Sequence, residues 1–173
     1  MLFNVLIFTT MGTEFHELPQ PEKIPMREKE DAMGSYLMMF AALGAGLPLP
    51  IINLIASVVY YYMNKSNSRF VRFHTYQALI SSIPLTLMNA FAIFWSLRIV
   101  VSSEWSLTGN YKGYIAMLVI ANLFYFIYGI IAAIKARKGQ MFYYWVFGKM
   151  AYVHAFTIKE GTTKEIFNAP PKL

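Results

Sequence analysis

The chain has 173 residues, of which 57% are hydrophobic and 14% charged, with a mean hydropathy of +0.42 and a net charge of +6. A soluble domain carries about 25% charged residues, and fifteen basic plus nine acidic side chains are too few to cover a water-facing surface comfortably. The composition argues against intrinsic disorder, a disulfide scaffold and an ordinary soluble enzyme; with no cysteine, thiolate metal sites and cysteine nucleophiles are also excluded.

Residues 1–10, MLFNVLIFTT, are apolar but have no preceding Lys or Arg and no small-residue cleavage site, so they make a poor signal peptide. Met11 follows directly and is an alternative start. Residues 12–33 hold Glu14, Glu17, Glu22, Glu28, Glu30 and Asp31 with three prolines, and read as a soluble acidic tail, cytoplasmic if the run that follows is a hairpin and outside if it is one span. From Gly34 to Met63 there is no charge. Thirty residues make about 45 Å of helix, more than the roughly 30 Å hydrocarbon core requires. Gly44, Gly46, Pro48 and Pro50 break the run, which is therefore either one kinked span or a hairpin of two short segments.

The basic loop with Lys65, Arg69 and Arg72 precedes a second apolar run, about 73–102, and a third run, Gly113–Ile134, stops at Lys135, Arg137, Lys138 and Gly139. Loop 64–72 has three Lys/Arg, segment 135–149 four and loop 103–112 one. The positive-inside rule puts the first two on the cytoplasmic side and the loop around Trp105 outside. Residues 140–158 are dense in aromatics and interrupted by Lys149 and His154, as in an interfacial segment. Tyr143, Tyr144 and Trp145 are expected at headgroup depth, and Tyr60, Tyr61 and Tyr62 mark the same interface. The fold class is thus all-α and polytopic, with an extension and tail over 1–33, a transmembrane domain over 34–138 and an interfacial segment with a polar tail over 139–173. The absence of about ten-residue alternating strands favours a bacterial inner membrane over an outer one.

The second run places His74, Gln77 and Ser81 on one helical face with Asn89 at its edge, while Asn122 lies on the third run and Asn53 on the first. Such residues suit an interhelical hydrogen-bonded face, or else a polar path for a substrate. Pro84 leads to an expected kink, and Arg98 is near enough to the end of its run to snorkel outward. No Asp or Glu lies between Asp31 and Glu104 or between Glu104 and Glu160, which weakens a coupled-transporter reading. No nucleophile–base pair, paired carboxylates or phosphate-binding glycine loop is present, so no enzyme, metal or cofactor is expected.

The stretch Phe70, Val71, Arg72, Phe73, His74 with Gln77 and Ala78, followed later by Ala133, Ile134, Lys135 and Ala136, resembles the small polytopic proteins related to the channel-associated subunit of the chloroplast inner-envelope translocon. The likeness is closest to their bacterial relatives of unknown function. It implies four short helices, the first two forming a hairpin, and a cytoplasmic N-terminal tail. The function expected is a non-catalytic accessory subunit of a larger membrane complex. Its partners would be lipids and other subunits, met through helix faces and the 12–33 and 150–173 tails; nucleic acid is not among them. A protein-translocation conduit, as the plastid relatives imply, is the alternative.

Overall fold

The computed structural model describes residues 15–41, 50–65, 67–102 and 108–158. Among these the chain is all-α, with helices α1 (Met26–Leu37), α2 (Pro50–Asn64), α3 (Arg69–Val101), α4 (Gly109–Arg137) and α5 (Phe147–Phe156). Short 3-10 turns lie at Pro21–Lys23 and Met38–Phe40, and the isolated bridge Phe15–Thr157 is the extended pairing found among the described residues.

The long helices have marked ends. Ser68 caps α3 by accepting from the Val71 N–H, and Thr108 caps α4 by accepting from Tyr111. At the far end of α4 the N–H of Gly139 bonds the Ala136 carbonyl and that of Gln140 bonds Lys135. Gly139 has φ 74°, the left-handed conformation that closes such a helix end. Helix α3 continues through Pro84. With 33 and 29 residues, α3 and α4 are about 50 and 44 Å long. Both are long and apolar enough to cross a membrane, whereas α2 is shorter.

The arrangement around this long pair is decided by a few contacts. Tyr60, near the end of α2, donates its hydroxyl to the Asp31 carbonyl of α1. At the other end of the N-terminal segment, Phe40 packs edge-on against Phe126 of α4 at 5.3 Å. The chain therefore rises along α4 from Met26 to Phe40 and returns down α2 to Asn64, so the two arms flanking residues 42–49 form a hairpin. Gly44, Gly46 and Pro48, which the sequence offers as the break, lie outside the described residues. Helix α5 packs beside the start of α3, with Tyr76 and His154 stacked at 4.1 Å.

One boundary moves. Residues up to 33 read as tail, yet α1 begins at Met26, and Ile24, Ala32 and Tyr36 are buried against α3 and α4. The charged residues Arg27 to Asp31 hide this helix from a search for apolar runs. Further back, His16 N–H bonds the Phe156 carbonyl and thereby ties the start of the described chain to the end of α5.

Candidate functional site

Where α1, α3 and the segment after α4 meet, five residues close a buried polar cluster. Gln77 Nε2 donates to the Tyr36 hydroxyl oxygen at 2.8 Å and to the Phe142 carbonyl at 2.9 Å. Its Oε1 accepts from the Tyr144 N–H at 3.2 Å. The Tyr36 hydroxyl lies 2.9 Å from His74 Nδ1. Because the Tyr36 oxygen already accepts from Gln77, its proton is best used on Nδ1, which puts the imidazole proton on Nε2. That Nε2 is buried and has no hydrogen-bond partner among the described residues. Its ring is instead flanked by Phe70 and Phe73, at centroid distances of 4.5 and 5.0 Å.

Further along the long pair, Asn89 and Asn122 exchange amide hydrogen bonds, each at 3.2 Å. Tyr114 donates to the Met88 carbonyl at 2.8 Å. Ser96 gives its proton to the Ala92 carbonyl, so at 2.8 Å it accepts from Tyr111. Polar contacts thus recur along the α3–α4 seam, which suits helix association where hydrophobicity cannot tell a helix from a lipid tail. Ser81 donates to the Ala78 carbonyl within its own helix. Asn53 remains on α2, where its carbonyl accepts from Ser57.

The distribution is inverted relative to a soluble protein. His74, Gln77, Thr75, Ser81 and Ser82 are buried, while Leu87, Phe94, Val119, Leu123 and Phe124 are exposed. Only 28% and 17% of the most apolar stretches of α3 and α4 are buried inside the protein. A soluble core helix would be mostly covered.

The charged and aromatic residues cluster at the end formed by the start of α3 and the end of α4. Arg72 Nε donates to the Lys65 carbonyl at 3.1 Å, and the Lys65 ammonium sits 4.6 Å above the Tyr62 ring. Arg69 lies near His16 and, after burial, is the second cause that lowers the pKa of that imidazole. Arg137 reaches the Met33 sulfur at 4.0 Å. Tyr61 bonds His154 Nε2 at 3.0 Å, and Trp145 is 97% exposed. Tyr144, expected at headgroup depth, is buried inside the protein, with its ring 5.9 Å from Tyr36. Burial followed by the neighbouring Tyr125 raises its phenol pKa, and burial followed by Tyr152 pushes Tyr143 up to about 12.

Sequence reasoning found His74 and Gln77 but missed Tyr36, Tyr144 and the Phe142 carbonyl. Their signal is weak, because the bonds join residues 38 to 67 positions apart. Among the described residues no group of three or more His, Cys, Asp or Glu could hold a metal ion.

A sequence profile of the magnetosome magnetite crystal formation protein family, MamF/MmsF, matches residues 32–151. The chain belongs to this family. The match begins at the buried Ala32 of α1 and ends at the buried Ala151 of α5, taking in the whole polar cluster and both long helices. No curated protein and no solved structure matches the chain significantly. Membership of MamF/MmsF overturns the resemblance to the chloroplast translocon family. The residues that carried that resemblance explain the error: Phe70, Val71, Phe73, His74, Gln77 and Ala78 are all buried. They report how a helix packs, which proteins of different function can share.

Proposed function

We propose that this MamF/MmsF protein is a non-catalytic integral subunit of the magnetosome membrane that supports magnetite crystal formation by packing against a larger assembly. The observation that carries the reading is the sealed polar cluster beneath two long helices with uncovered apolar faces. Lipid and neighbouring helices are the surroundings in which that distribution is favourable.

In this reading α3 and α4 cross the bilayer. From Arg72 to Trp95 α3 rises about 35 Å, which sets the basic end at one interface and the Trp95, Tyr111 and Tyr114 cluster at the other. Helix α2, with 15 residues, reaches only about 22 Å. It and the segment to Phe40 therefore form a re-entrant hairpin that enters from the basic side. The basic loops face the cytoplasm, as in a bacterial inner-type membrane, and α5 lies along that surface. The apolar faces of α3 and α4 are the first candidates for subunit contact. The segments 12–33 and 150–173 extend the docking surface on the cytoplasmic side.

The test is a mild-detergent pull-down of the tagged full chain from its native membrane, paired with electron microscopy of crystals in a deletion strain. Stoichiometric recovery of a larger complex and altered crystals are expected. Recovery of the chain alone, with crystals unchanged, would overturn the proposal.

A further inference from the structure

Between α1 and α4 lies an apolar groove of about 530 Å³. Met26, Met33 and Leu37 form one wall, and Ile130 and Ile134 form the other. Arg137 and Lys138 also line it, and neither makes an ion pair among the described residues. The Lys29 side chain runs alongside Gly139, so a third cation approaches the same end. Glu30, four residues after Met26, is exposed and not part of the lining.

We propose that this groove holds one anionic phospholipid, with its phosphate on Arg137 and Lys138 and an acyl chain along the methionine and isoleucine walls. The proposal rests on the membrane reading above, and charge complementarity selects the occupant. In that reading the basic pair lies at headgroup depth, and the groove follows α4 from there to Ile130, about 12 Å into the hydrocarbon. A basic pocket between helices on the cytoplasmic side suits an anionic headgroup. Methionine walls adapt to a chain of no fixed conformation, while a neutral headgroup would leave the two cations unmatched.

The experiment uses the full chain reconstituted into vesicles of three parts phosphatidylcholine to one part phosphatidylglycerol. Flotation is followed by extraction in mild detergent and native mass spectrometry. One retained phosphatidylglycerol per protein is expected, and Arg137→Gln with Lys138→Gln lowers its preference by about tenfold or more. Met33→Trp, which fills the groove without changing charge, removes the bound lipid. Lys65→Gln with Arg72→Gln leaves it in place. Equal loss in that last pair would make the attraction diffuse surface charge and overturn the site. Higher lipid occupancy after deletion of residues 1–14 would also overturn it, by assigning the groove to the chain's own N-terminal segment. Failure to float would refute the membrane reading itself, whereas flotation without headgroup preference would refute only the groove.

Discussion

Gln77 is joined to Tyr144 across the base of the bundle: the Tyr144 N–H donates to Gln77 Oε1 at 3.2 Å. The other end of the same amide bonds Tyr36 and Phe142. One side chain therefore fastens α1 and the segment leading into α5 to α3. Replacing it by a similarly shaped apolar residue, Gln77→Leu, strands the Tyr144 N–H and the Phe142 carbonyl in a buried place. A cost of about 2–4 kcal/mol is expected, read as a lower thermal midpoint in detergent. Protease cleavage within 140–158 rises at the same time. An unchanged midpoint would show that water reaches these groups.

The Asn89–Asn122 pair is expected to matter much less than its symmetry suggests. Interhelical hydrogen bonds in membranes average about 0.6 kcal/mol because the separated helices find other partners. A double-mutant cycle with Asn89→Leu and Asn122→Leu therefore gives a coupling below about 1.7 kcal/mol. The thermal midpoints in detergent of the two single variants and the double variant give this coupling, and a value well above that limit would contradict the expectation.

Two glycines on helices respond in opposite directions to the same change. A Cβ at Gly113 meets nothing within 4 Å, so Gly113→Ala gains helix propensity of up to about 1 kcal/mol. A Cβ at Gly34 collides with the Tyr60 hydroxyl, which donates to the Asp31 carbonyl. Gly34→Ala is expected to forfeit the gain and lower the thermal midpoint, because Tyr60 must give up its bond for the methyl group to fit.

Alkaline pH loosens the segment around Tyr143. Burial, then Tyr152, pushes its phenol up to about 12, while in the unfolded chain it titrates near 10. The unfolded form loses its proton first, so the stabilisation is complete below pH 10 and is lost as pH rises through about 12. Tyr144 is raised in the same direction. Protease cleavage after Lys149, followed from pH 9 to 12, is expected to increase above pH 10, and Tyr143→Phe moves that onset upward.

The parts of the fold legible in the sequence are those in which a continuous lack of charge coincides with a full helix. Helices α3 and α4 follow from their apolar runs, and Gly139 marks the end of α4 because only a left-handed residue closes it there. Helix α1 was not legible from its start, since Arg27 to Asp31 conceal a face that buries Ala32 and Tyr36. Tyr144 turns in against Tyr36 while Trp145 is exposed and Tyr143 partly exposed, and composition cannot say which of three consecutive aromatics turns in. The site was half visible. His74 and Gln77 stand out in an apolar helix, but their partners come from distant segments that only the fold brings together.

The central claim is that α3 and α4 cross a membrane with the His74 and Gln77 cluster sealed between protein elements. It is tested most directly by cysteine accessibility on this naturally cysteine-free chain. Single variants Ala78→Cys, Ser81→Cys, Lys138→Cys and Thr108→Cys, which leave Gln77 and its bonds intact, would be labelled in sealed magnetosome vesicles, whose outer face is the cytoplasmic one, and in opened vesicles with a membrane-impermeant maleimide. Positions 78 and 81, both buried, are expected to stay protected in both, position 138 to label in sealed vesicles, and position 108 to label only after opening. Labelling of 78 and 81 together, or of 108 and 138 from the same side, would contradict it.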